Sequence, residues 1–260
     1  MEHITFPDGE VVELKFDGRS HLYKVDGEVI PSATKVLGVI AKPALVPWSL
    51  KMGAEWLASQ IFCDTEGKKT KEILLKSSIP LTGLLKGMKG AHRSYSTHAM
   101  SVGTATHEWI EQHVIHLMTG SDKPEIPQNQ EEVATACQAF KDWISENDVV
   151  FLGTEEKVFS RDYKYTGTYD AHAIVNGKIT IIDWKTSKGV YPEYHLQNAA
   201  YAGAFEEIHS GGHVEQTLVL RLDKRYGTYE AEFQTREQWK KNHQAFLAAL
   251  LLYNRLKELK

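Results

Sequence analysis

Between two runs of strand-forming residues the chain places Asn176-Gly177. The positive φ angles of such a two-residue loop match the twist of the flanking strands, so the pair is a strong local signal for a tight β-hairpin. The turn fixes the register. With Val175 opposite Lys178, partner numbers sum to 353, and Asp170 falls opposite Asp183 on one face of the sheet. Facing carboxylates repel, and a sheet seldom tolerates them without a cation nearby. Alternation then sets Lys185 on the same face as Asp183. Two acids able to hold a hard metal ion, with an amine beside them, form a layout suited to phosphodiester cleavage.

The tripeptide Asp-x-Lys is weak taken alone, since Asp162-Tyr163-Lys164 repeats it and Glu155-Glu156-Lys157 is its Glu version. Charged residues also mark ordinary strand exits into solvent. The setting adds weight: Ile179-Thr180-Ile181-Ile182 is a β-branched run that reads as a buried strand ending in Asp183-Trp184-Lys185.

Further phrases follow in order: Gly103-Thr104-Ala105-Thr106-His107 on a helix, Glu155 on a strand, Gly167-Thr168-Tyr169-Asp170, Asp183-Trp184-Lys185-Thr186, and Gln197-x-x-x-Tyr201 on a helix. An amino-terminal phrase runs from His21-Leu22-Tyr23 through Pro31-Ser32-Ala33-Thr34 to Trp48. This order resembles the RecB-type branch of the PD-(D/E)xK nucleases, and within it small phage exonucleases and the mitochondrial genome maintenance exonuclease. The resemblance touches most of residues 20 to 205, with motif identity confined to short stretches. It implies that Asp170, Asp183 and His107 bind metal, with the backbone carbonyl of Trp184 as a further contact. It also implies a place for Glu155 in the catalytic set, and a role for Lys185 in activating water and stabilising the phosphate. Gln197 and Tyr201, one helical turn apart, can reach the same site and position DNA. Magnesium or manganese is the expected cofactor, oxygen ligands favouring both and one His leaning towards manganese.

Each residue also has an ordinary reading. His107-Glu108-Trp109-Ile110-Glu111 begins like a zinc-protease helix but has Glu where the second His belongs. His113 and His116 fit a solvated helix face. Glu155 and Glu156 point to opposite faces by alternation, and the resemblance favours Glu155. Gln197 and Tyr201 also suit a helix surface and core edge. His172 shares a face with Asp170 by alternation and pairs with Ile181, which suits packing as well as chemistry.

With 260 residues, 42% hydrophobic and 25% charged, the chain can bury a full core. Cys63 and Cys137 are the two cysteines. They can neither frame a disulfide scaffold nor hold an iron-sulfur cluster with four cysteine ligands. Neither a signal-like start nor an apolar run of about 18 residues is present, so a soluble, cytoplasmic protein without membrane association is expected. Net charge is −4, but seven basic residues against one acid between Lys68 and Arg93 give a local +6. That stretch, with Lys86, Lys89 and Arg93 at its end, suits a DNA backbone or equally a solvated loop.

The expected fold is α/β (α+β): a restriction-endonuclease-like core with a mixed sheet flanked by helices, in a single domain over residues 1–260. Strands and a helical annex carrying the His107 helix fill residues 1–130, and the catalytic core fills 131–260. Core strands are expected near 149–159, 165–175, 178–186, 214–222 and 227–234, with helices over 129–147 and 192–209. Thr235-Arg236-Glu237-Gln238 is a capping box opening a last helix whose Phe246, Leu247, Leu250 and Leu251 form a core stripe. The function expected is a metal-dependent DNA exonuclease on single strands or ends, in phage recombination or repair, with a recombination or single-strand-binding protein as possible partner. A structure-specific endonuclease, or a non-catalytic nucleic-acid-binding partner on the same fold, is the alternative.

Overall fold

The computed structural model describes residues 2–18, 20–60, 62–64, 74–76, 79–209 and 212–259. They divide into two compact units, Met1–Ile40 with Val102–Lys260, and Ala41–Ser101.

The larger unit opens with a four-stranded antiparallel meander, β1 (Glu2–Thr5), β2 (Val11–Asp17), β3 (Leu22–Val25) and β4 (Glu28–Ile30). Alternation turns Val12, Leu14, Tyr23 and Val25 inward, where they pack with Ile4, Phe6 and Phe159. The main sheet has the order β11-β10-β9-β8-β7. Its strands are β7 (Val149–Ser160), β8 (Tyr165–Val175), β9 (Lys178–Lys185), β10 (Gln216–Leu222) and β11 (Tyr229–Thr235). β9 and β10 are parallel and every other pair is antiparallel, so the sheet is mixed. The parallel step requires a crossover, supplied by α5 (Pro192–Ile208).

Both faces of this sheet are covered. Trp109, Ile110 and Val114 of α3 (Leu81–Thr119) join α4 (Glu131–Glu146) over Ala171, Ala173, Ile182, Trp184, Leu218 and Leu220. On the other face α1 (Ala33–Leu37), α5 and α6 (Arg236–Glu258) cover Val158, Tyr165, Tyr169 and Ile181. The mixed sheet between helices, preceded by an amino-terminal strand layer, is the α/β architecture expected. Asn176 and Gly177 take φ of 50° and 78° at the hairpin turn. The paired ladder then runs from Val175–Lys178 to Ala171–Ile182, the register expected.

The last helix begins with its capping box complete: Thr235 accepts from the Gln238 N–H, and the Gln238 side chain accepts from the Thr235 N–H at 2.8 Å. Phe246 and Leu250 are buried and Leu247 partly so, but Leu251 is 73% exposed and lies off the core stripe. The apolar stripe of α6 is therefore narrower than its sequence indicates.

The smaller unit contains α2 (Leu45–Gln60), a short antiparallel pair β5 (Phe62–Asp64) and β6 (Leu74–Lys76), and the first turns of α3. The strand pair interrupts a region expected to be mostly helical. Helix contact here depends on small residues: a Cβ on Gly87 would lie 1.9 Å from the Trp56 ring, and one on Gly53 2.9 Å from the Met88 carbonyl oxygen.

Candidate metal centre and active site

The hairpin ladder stops one step short of Asp170 and Asp183. At that step Asp170 replaces a backbone partner, its Oδ2 accepting the Trp184 N–H at 2.5 Å, while Oδ1 lies 3.3 Å from His107 Nδ1. Trp184 itself is anchored by its indole, edge-on to Phe140 and Trp143 in the core. The alternation of β8 slips here: Tyr169 packs under α5, yet Ala171, two residues on, packs under α4. His172 is carried to the α5 side, 5.1 Å from the Phe205 ring centroid, which corrects the expectation that it shares a face with Asp170. Its pairing with Ile181 is as expected.

β7 is irregular opposite this slip. Leu152 is an extra residue in the β7–β8 register, and Glu155 takes φ of 51°, a left-handed conformation rare for a side chain of this size. Glu155 thereby joins His107 and Asp170. One ligand atom from each lies within 4.8 Å of the others, and no other group of His, Cys, Asp or Glu meets that test among the described residues. The three line a cavity of about 390 Å³ with Gly103, Thr104, Glu108 and Glu111.

Asp183 is 2% exposed, and its Oδ2 lies 2.6 Å from Lys185 Nζ. The ammonium also sits 5.0 Å over the Tyr194 ring of α5. From the same helix Gln197 Nε2 donates to the Tyr201 hydroxyl at 2.6 Å and to Thr34 Oγ1 at 3.0 Å. Tyr201 can lie against β8 because residue 167 is glycine: a Cβ there would be 2.3 Å from the tyrosine ring.

Burial, reinforced by Asp170, pushes the Glu155 carboxyl up to about 8. Burial also raises Asp183 to about 6, with Lys185 opposing and Asp170 adding to the rise. Burial works against ionisation of Asp170, yet the charge and hydrogen bond of His107, then Lys185 and the Trp184 N–H, hold it below the usual carboxylate range. The imidazole and the ammonium are held charged in turn. Burial disfavours each, but Asp170 outweighs it at His107 and Asp183 with Asp170 outweighs it at Lys185. Three carboxyl groups thus share two nearby cationic side chains, and one carboxyl keeps its proton near neutral pH for want of positive charge. A set of carboxylate oxygens with one imidazole nitrogen is a donor set that magnesium or manganese accepts. The residues present fit such an ion.

Among the residues singled out by sequence, Glu155, His107 and Asp170 meet, Asp183 and Lys185 pair, and Gln197 bonds Tyr201. Glu111, Tyr194 and Thr34 were not assigned roles. The first two had a helical signal, Glu111 at four residues from His107 and Tyr194 at three before Gln197. His113 and His116 do not converge on an ion: His113 is buried and stacked on Trp109 at 4.8 Å, and His116 contacts the Ser121 carbonyl.

In the smaller unit, Lys86, Lys89 and Arg93 share one face of α3 and line a groove with Thr82, Leu85 and Gly90. Lys68, Lys69 and Lys71, also part of the basic stretch, lie outside the described residues. Other arginines are neutralised locally, Arg161 by Asp8 and Glu10 at 2.6 Å each, and Arg221 by Asp223 at 3.0 Å and Glu230 at 2.8 Å. Among the described residues no helix is long and apolar enough to cross a membrane.

No protein-family model and no curated protein matches the chain. A solved alkaline exonuclease from Laribacter hongkongensis is similar over 59% of this chain and 86% of its own, at 16% identity and a TM-score of 0.28.

Proposed function

We propose that the protein is a metal-dependent deoxyribonuclease of the PD-(D/E)xK type, acting as an exonuclease on single-stranded or resected DNA ends in recombination or repair, in a phage setting. The reading rests on one observation: ligand atoms of His107, Glu155 and Asp170 converge within 4.8 Å of one another, beside the buried Asp183 and its partner Lys185. His107, Glu155, Asp170, Asp183 and the Trp184 carbonyl would hold magnesium or manganese. When bound, such an ion acts as a Lewis acid on a phosphoryl oxygen and makes water more acidic.

The chain's own groups do the rest. Lys185, kept charged by Asp183, is placed to orient the attacking water and to balance charge growing on the phosphate. Gln197 and Tyr201 hold the strand at the site's edge, braced by Thr34. The basic face of α3 takes the phosphate backbone. Changing Lys86, Lys89 and Arg93 together to Gln should flatten the salt dependence of single-strand affinity by about two units, at about 0.7 per phosphate. An unchanged slope would move the DNA path elsewhere.

The test of the activity is direct. End-labelled single- and double-stranded DNA of both polarities is incubated with manganese, with magnesium and with chelator, alongside a circular single strand. Metal-dependent shortening of linear strands with the circle intact is expected. Cutting of the circle makes the enzyme an endonuclease, and absence of metal-dependent cleavage of any DNA refutes the proposal.

A further inference from the structure

A second cavity, of about 530 Å³, lies in the larger unit with Tyr201 in its wall. Its size is within the range of about 300–1,000 Å³ typical of small-ligand clefts. One wall is aromatic. Phe16 is 37% exposed on β2, its ring centroid 4.6 Å from that of Tyr23, with His21 6.1 Å away. The Tyr23 hydroxyl is fixed 2.9 Å from Thr168 Oγ1, so this wall is braced on β8.

The remaining lining includes Leu22 and Gly167 and, as polar or cationic groups, Ser32, Thr34, Lys35 and Thr168. Among the described residues no carboxylate lines it, whereas Glu108, Glu111, Glu155 and Asp170 all line the cation cavity. Lys35 has no acidic partner among the described residues. An aromatic face together with an unpaired ammonium and hydroxyls matches a nucleotide, whose base stacks and whose phosphate takes a cation and O–H donors.

The cavity also borders residues of the candidate active site. Tyr201 forms part of its wall, Thr34 accepts from the Gln197 that donates to Tyr201, and Thr168 is two residues before Asp170 on β8. Much of the amino-terminal phrase from His21 to Thr34, which the cation site does not use, converges on this cavity.

From this we infer a nucleotide subsite: the cavity holds one unit of the DNA strand beside the scissile phosphate, its base stacked on Phe16 and its phosphate met by Lys35 and the Ser32 and Thr34 hydroxyls. The inference rests on the deoxyribonuclease reading for its substrate, and the test separates the two. Binding of dodecathymidylate and of a sugar-phosphate dodecamer lacking bases is measured by fluorescence anisotropy in chelator, for the wild type, Phe16→Ala, Phe16→Trp and Lys35→Gln.

The wild type should prefer the strand with bases. Phe16→Ala should weaken thymidylate binding about tenfold, the scale of one lost stack, and erase that preference, while Phe16→Trp restores it. Lys35→Gln should weaken both strands alike. Should Phe16→Ala fail to fold, the wild-type preference and Lys35→Gln decide the matter. Equal wild-type affinity for the two strands, no detectable binding of either, or Phe16→Ala binding like the wild type overturns the subsite, even if the enzyme cleaves DNA. A Phe16-dependent base preference in a protein that cuts no DNA with either metal leaves the subsite standing and removes the nuclease reading.

Discussion

Glu155 and Glu156 are neighbours in β7, yet they enter clusters of opposite character. On the α3 side Glu155 meets His107 and Asp170, a group with more acids than donors. On the α5 side Glu156 accepts from the Tyr169 hydroxyl, which also lies 3.0 Å from His172 Nδ1, with His172 3.7 Å from Glu156. The two histidines answer differently. Burial lowers His172 despite the pull of Glu156, while Asp170 overcomes burial and raises His107. A phenol in one cluster occupies the place that a carboxylate takes in the other. The α5 cluster closes its own hydrogen bonds with a neutral donor, and the α3 cluster holds a carboxyl whose ionisation a cation would favour.

The largest effects should separate these neighbours by activity. Asp183→Asn and Lys185→Met are each expected to lose at least about a hundredfold in DNA cleavage, the scale of removing a preorganised charge. Glu155→Gln should lose a comparable factor while Glu156→Gln stays within a few-fold of the parent. Single-turnover rates on a labelled strand with manganese decide it. Equal losses at Glu155 and Glu156 would end the distinction drawn between the two clusters.

Metal binding sharpens the comparison without relying on turnover. At about a hundredfold excess over its dissociation constant, an ion bound only to the folded state stabilises it by about 2.7 kcal/mol. For a chain of this size that is a rise of roughly 5–10 °C in melting temperature. Manganese should produce it in the wild type and in Glu156→Gln, and much less of it in Glu155→Gln. A full shift in Glu155→Gln would remove that carboxylate from the ligand set.

The hairpin register and the capping box were legible because each depends on a local rule. Asn176-Gly177 demands its turn, and Thr235 with Gln238 satisfies orphan N–H groups wherever a helix begins. The slip of β8 at Asp170–Ala171 was not legible. It is decided by competition between two layers for Tyr169 and Ala171, and strict alternation assigns both to one face. That slip is why His172 was misplaced. The left-handed φ of Glu155 has no signature in a residue that is neither Gly nor Asn, so its approach to His107 follows from tertiary packing. Leu251 matched the helical period but falls on the side of α6 away from the core.

A smaller effect is expected from pH. In the metal-free protein Glu155, raised to about 8 from an ordinary 4.5, keeps its proton in the folded state over a range where the unfolded chain has lost it. Asp183 does the same between 3.8 and about 6. The raised His107 contributes stability below its unfolded value of 6.5 that is lost as pH rises through its folded one. All three have the same sign, but burial lowers His113, His172, His209 and His243, which act the other way up to their unfolded value of 6.5. Stability in chelator should therefore fall as pH rises from about 6.5 to about 8. The lowered Asp170 acts the other way, but only below its unfolded value of 3.8. Denaturant melts across this range should show a shallower slope in Glu155→Gln than in the parent. Saturating manganese should oppose the decline, since ligands must deprotonate to bind it.

The smallest effect tests the claim that the α5 cluster closes on itself. Tyr169→Phe removes one oxygen and leaves the ring, which packs in the core with Phe205 at 5.9 Å. Glu156 and His172 lose a common partner, but Glu156 is 45% exposed at its side chain and water can replace the lost donor. The cost should therefore be about 1 kcal/mol, near the net worth of a single hydrogen bond. Manganese affinity and cleavage rate should stay within about twofold, because no atom of the α3 cluster depends on that hydroxyl. Denaturant melts and manganese titrations on the same sample measure both quantities. A tenfold fall in manganese affinity would show that the two clusters are coupled through β7, and that Glu155 owes its left-handed position to the bond its neighbour makes with Tyr169.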